Sequence, residues 1–67
     1  MVSDIRKIEE INEIIGDMHE AGVITDWEVG FVEDQVDRIM TYGTSTKFTQ
    51  KQINVIDRIY EKACVWD

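Results

Sequence analysis

Ile24-Thr25-Asp26-Trp27-Glu28-Val29 and Phe48-Thr49-Gln50-Lys51-Gln52-Ile53 carry the same start signal for a helix, offset by 24 residues. In each, a threonine hydroxyl can accept from the backbone N–H three residues on, while the Glu or Gln at that position reaches back to the threonine N–H. The flanking apolar pairs, Ile24 with Val29 and Phe48 with Ile53, have the spacing of a hydrophobic staple. A chain with no proline and few glycines is otherwise unpunctuated, so these two signals divide it into three helices.

Working outward, the first helix is expected from Asp4 to Ala21, capped by Ser3 or Asp4 and stopped by Gly22. At about 100° per residue, Ile5, Ile8, Ile11, Ile14, Ile15 and Met18 fill roughly half its circumference, enough to touch two neighbours. Glu9, Glu13, Asp17 and Glu20 fall together opposite, with Glu10 at the margin, and form an acidic ridge that Glu33, Asp34 and Asp37 can extend. The second helix spans Asp26 to Tyr42 and ends at Gly43, which tolerates a left-handed cap. Val29, Val32, Val36, Ile39 and Met40 make its apolar stripe, and Trp27, Phe31 and Tyr42 occupy a second face. Two such faces suit a central helix between two partners. Gly30, in mid-helix, costs about 1 kcal/mol relative to alanine, and close approach of another helix would explain it. After the polar connection Thr44-Ser45-Thr46-Lys47, the third helix runs from Gln50 to Cys64 and buries Ile53, Ile56, Ile59, Tyr60 and Ala63. Lys51, Arg58 and Lys62 share a narrow band on its far side. Trp66 falls in the tail beyond it.

The fold class is therefore all-α: one compact three-helix domain over residues 1–67, with helices at 4–21, 26–42 and 50–64. Val36-Asp37-Arg38-Ile39 and Ile56-Asp57-Arg58-Ile59 look alike, but their offset of 20 differs from the 24 of the start signals. That mismatch marks shared helical patterning rather than duplication.

Composition narrows the roles. A 67-residue chain buries only about 60% of its unfolded surface, which disfavours a deep catalytic cleft. Fourteen acids against seven bases give a net charge of −7, opposing non-specific attraction to phosphates or anionic lipid. The charge is polarised: residues 1–46 carry eleven acids and three bases, a net −8, whereas residues 47–67 carry three acids and four bases, a net +1. Such a division steers a partner, and it equally lets the third helix lie beside the first. No apolar run approaches the roughly 18 residues needed to span a bilayer, and no basic segment precedes an apolar core at the N-terminus. The expected location is the cytoplasm.

Candidate chemistry is sparse. His19, the only histidine, has no second His or Cys at ligand spacing, so it reads as a boundary residue rather than a metal ligand. A straight face of carboxylates is a poor cage for a hard cation, which takes six or more oxygens from a folded loop. Cys64, the lone cysteine, would need a nearby base and a site that favours its thiolate to act as a nucleophile; it sits at the border of the buried arc, where packing is the expected role. With no Gly-rich phosphate loop and no Ser-His-Asp set, neither enzymatic activity nor a cofactor nor a metal is expected.

Binding surfaces remain. Trp27 and Phe31, with Tyr42, are either core or interface; Trp66 is the aromatic expected to be exposed. Trp27, Phe31, Trp66, Lys51, Arg58 and Lys62 form a candidate partner-binding set, and the same cations beside Trp66 permit single-strand stacking. The ridge of Glu9, Glu13, Asp17 and Glu20 is a candidate mimic of DNA phosphates, able to occupy the basic groove of a DNA-binding protein, or else a solvated face. The isoleucine arc of the first helix leaves open a homodimer as well as a monomer.

Ile24-Thr25-Asp26-Trp27-Glu28-Val29-Gly30-Phe31-Val32-Glu33, then Phe48-Thr49-Gln50-Lys51-Gln52 and Ile56-Asp57-Arg58-Ile59-Tyr60-Glu61-Lys62, resemble a short helical module of small phage proteins. Among these are the small accessory proteins encoded beside the UvsW recombination helicase in T-even-like phages. The resemblance covers residues 24–62 and leaves the first helix outside. Beyond caps and apolar sites it is carried by Trp27, Phe31, Lys51, Gln52 and Tyr60. It implies a small α-helical phage protein working near DNA replication, recombination or repair, without helicase motifs of its own and associated with a DNA-processing enzyme through contact or gene neighbourhood.

Overall fold

In a computed structural model, which describes residues 2–66, three helices of equal length form: α1 (Asp4–Glu20), α2 (Asp26–Tyr42) and α3 (Gln50–Trp66). Ser3 caps α1 by accepting from the Arg6 N–H. Its other end closes in a Schellman motif, with the Gly22 N–H on the His19 carbonyl and the Val23 N–H on the Met18 carbonyl; Gly22 supplies the positive φ of 76° that this motif requires. Both capping boxes are present. Thr25 and Glu28 exchange bonds of 3.2 and 2.9 Å, and Thr49 and Gln52 do the same. A single 3-10 turn, Gly43–Ser45, follows α2, and the buried Thr46 hydroxyl ties it down by donating to the Gly43 carbonyl at 2.7 Å.

Cross-helix pairs give the directions. Lys7 meets Asp57 at 2.7 Å and the Tyr60 hydroxyl donates to Glu10 at 3.0 Å, so numbers rise together along α1 and α3, which run parallel. Glu28 meets Lys62, and Arg38 reaches Gln52, so α2 and α3 run antiparallel. Ile8, Ile11 and Met18 of α1 are fully buried, joined by Val32 of α2, Ile56 and Ile59 of α3, and Ile24 from the turn.

The central element is α1, not α2. Each of the other two helices packs more closely on α1 than on the other. The isoleucine arc, spanning half of α1, faces both neighbours: Ile8, Ile11 and Met18 are fully buried and Ile5, Ile14 and Ile15 half-buried. The consequences for α2 are visible in its side chains. Met40, placed by spacing on the apolar stripe, is 80% exposed. Apart from its own stretch of helix backbone, nothing lies within 4 Å of where a Cβ on Gly30 would stand, so close helix approach does not account for it. At the other end, α3 continues to Trp66; the tryptophan belongs to the last helical turn rather than to a tail, and Cys64 is exposed instead of packed.

Candidate partner-binding groove

Because α1 holds the two other helices from one side, the opposite side of the α2/α3 seam is bridged only by long side chains. Near one end Lys62 donates to both carboxylate oxygens of Glu28, at 3.0 and 3.2 Å. Near the other, the Arg38 guanidinium donates to the side-chain oxygens of Gln35 and Gln52 and to the Lys47 carbonyl, and lies over the Phe48 ring at 5.6 Å. Burial pushes the Glu28 carboxyl up, but the Thr25 bond and the Lys62 ammonium outweigh it and hold the carboxyl below its ordinary value. Glu28 is the buried hinge of the arrangement: one carboxylate completes the α2 cap and also anchors α3.

Between and beyond these bridges lie three linked hollows. The first, about 290 Å³, is lined by Trp27, Phe31, Lys51 and Val55. The second, about 280 Å³, shares Trp27 and Val55 and adds Arg58 and Lys62. The third and largest, about 480 Å³, shares Arg58 and Lys62 and reaches Val23, Glu61, Val65 and Trp66. The first two adjoin at Trp27 and Val55 and the last two at Arg58 and Lys62, so they follow one another along α3 as a groove crossed by the Lys62–Glu28 bridge. Trp27 and Phe31 stack with ring centroids 5.6 Å apart and planes 19° from parallel. Trp27 is 64% exposed and Trp66 38%.

All six residues that sequence reasoning marked for partner binding, Trp27, Phe31, Trp66, Lys51, Arg58 and Lys62, thus line one groove. Tyr42 is exposed at the far end of α2 and lines none of its hollows. Val55 and Val65 were not singled out, although Val55 stands one turn from Lys51 and nearly one from Arg58, a spacing that could have found it. Val23 comes from the α1–α2 turn, for which helical spacing carries no signal.

The acidic ridge is a separate surface. Glu9, Glu13, Asp17 and Glu20 are all exposed on α1. Next to it the exposed His19 pairs through Nε2 with Asp26 at 2.5 Å. Among the described residues, no three His, Cys, Asp or Glu side chains gather as metal ligands, and no helix is long and apolar enough to cross a membrane.

Compared with protein-family models, curated proteins and solved structures, the chain matches none of them.

Proposed function

We propose that the protein is a non-enzymatic interaction module that binds a protein partner through the α2/α3 groove. One observation carries this reading: two tryptophans and three cationic side chains, scattered from position 27 to position 66, line adjoining open hollows along α3. Tryptophan with arginine is the composition enriched where interfaces concentrate their binding energy. A small helical domain that leaves both its tryptophans partly in water, when it has so little core to draw on, forgoes burial that would stabilise it. The resemblance of residues 24–62 to phage accessory proteins supports a partner among enzymes of DNA replication, recombination or repair, working in the host cytoplasm.

A second reading is favoured by a different observation. Four carboxylates, Glu9, Glu13, Asp17 and Glu20, stand exposed along α1, as an acidic inhibitor of a DNA-binding protein would present them. One experiment separates the two. The tagged protein is used to capture partners from its native cell as wild type, as Trp27→Ala and Trp66→Ala, and with the four carboxylates changed to amides. Loss of the captured partner with the tryptophan variants, and retention with the amide variant, is the groove outcome. The reverse pattern is the mimic outcome and overturns the groove reading.

A further inference from the structure

We propose that the groove receives an acidic amphipathic helix from the partner protein. The proposal rests on the groove being a protein-binding surface, as above, and names the chemistry of what fills it.

Shape comes first. From Lys51 to Trp66 the groove follows α3 for roughly 22 Å, about four helical turns. Its walls are α2 and α3 as far as Lys62 and the α1–α2 turn at Val23 beyond, so a third helix laid along α3 seats its own side-chain ridges against them, the mode in which apolar anchors recur at i, i+4, i+7 and i+11. The lining repeats at that spacing on α3: Lys51, Val55, Arg58, Lys62 and Trp66. Half-buried Val23, Phe31 and Val55 make the floor and the more exposed Val65 and indole rings its rim, a surface for leucine- or phenylalanine-like side chains.

Charge selects what flanks those anchors. Lys51 and Arg58 are exposed and form no ion pair among the described residues. Lys62 already shares its charge with the low-lying Glu28 carboxylate. Lys51 and Arg58 outnumber Glu61, the carboxylate of the lining that Lys62 does not pair, and so complement glutamates or aspartates on the edge of an incoming helix. A second copy of this chain does not supply such a helix. Its acidic α1 face is backed by Ile8, Ile11 and Met18, all fully buried in its own core. Single-stranded nucleic acid fits the cations and indoles, but it leaves the valine walls against phosphates and meets a net charge of −7.

Both tryptophans of the chain line the groove, so intrinsic emission reports on it directly. The full-length protein is titrated at low salt with a synthetic peptide of about fifteen residues bearing leucines at i, i+4, i+7 and i+11 and glutamates beside them. Parallel titrations use the same peptide with lysine in place of glutamate, and an oligothymidylate of similar length. The expected result is a blue shift on adding the glutamate peptide, with affinity at least about tenfold above that of the lysine peptide. Reversing both cations, Lys51→Glu with Arg58→Glu, is expected to invert this preference, while circular dichroism confirms that the variant stays helical. Three results overturn the proposal: no shift with the glutamate peptide, equal binding of the lysine peptide, or tighter binding of the oligonucleotide. If the glutamate peptide fails while Trp27→Ala and Trp66→Ala still abolish partner capture, the groove stands and its ligand is of another class. Survival of capture in those variants removes the groove itself.

Discussion

Glu28 and Lys62, 34 positions apart, meet at 3.0 Å across the α2/α3 seam, and the same carboxylate accepts the Thr25 N–H at 2.9 Å. One side chain therefore serves a local cap and a tertiary contact. Glu28→Gln keeps an oxygen for Thr25 but loses the charge facing Lys62, at an expected cost of about 1 kcal/mol; Glu28→Ala removes both, at about 2 kcal/mol. The carboxyl is held below its ordinary value of 4.5, so its contribution is complete above that value and is lost as pH falls through the depressed one. Urea unfolding across this acidic range should show wild type converging on Glu28→Gln as pH falls. A constant difference between them would contradict the assignment.

Glycine in mid-helix offers a test with the opposite sign. Gly16 and Gly30 have open space where a methyl group would go, and both lie well inside α1 and α2. Gly16→Ala and Gly30→Ala should each raise stability by about 0.5 to 1 kcal/mol, seen as a higher midpoint in thermal unfolding. Destabilisation at Gly30 would revive a close helix contact there.

Two apolar residues of similar size should behave very differently. Ile11 is fully buried in the core around α1, whereas Met40 is 80% exposed. Ile11→Ala is expected to cost about 2 to 5 kcal/mol, most of the few kcal/mol available to a domain of this size, and Met40→Ala less than about 0.5 kcal/mol. Chemical denaturation of the two variants checks both.

That contrast also marks what the sequence could reveal. Thr25 and Thr49 act on groups three residues away, so their capping boxes are legible from spacing alone, and with them the three helices. Gly22 and Gly43 end helices for an equally local reason. Angular position on a wheel says nothing about which helix stands in the middle. The wide isoleucine arc of α1 and the two-faced pattern of α2 each suited a central helix, and the packing assigned that place to α1. Met40 consequently lost the neighbour its spacing promised. Trp66 was misjudged because no glycine or proline after Gly43 marks where α3 stops, and Cys64 because a border position on the wheel does not say on which side the neighbouring helix lies. The groove residues were legible as types, aromatic and cationic, but their convergence depended on Val23, Val55 and Val65, which only the tertiary fold brings alongside.

Exposure of Cys64 is directly measurable. The thiol is accessible in the folded chain, so a disulfide reagent should titrate one thiol per chain under native conditions, at a rate that changes little on adding denaturant. Reaction only after unfolding would return Cys64 to the core and shift the register of the last turn of α3.

The account depends most on both tryptophans standing in an open seam of the folded protein. Acrylamide quenching of two single-tryptophan variants, Trp66→Phe to read Trp27 and Trp27→Phe to read Trp66, measures this without any knowledge of the partner. Both are expected to be quenched readily in the native state, Trp27 at 64% exposure more strongly than Trp66 at 38%. If either indole is shielded like a core residue until the chain unfolds, the groove is closed and the proposed binding surface does not exist.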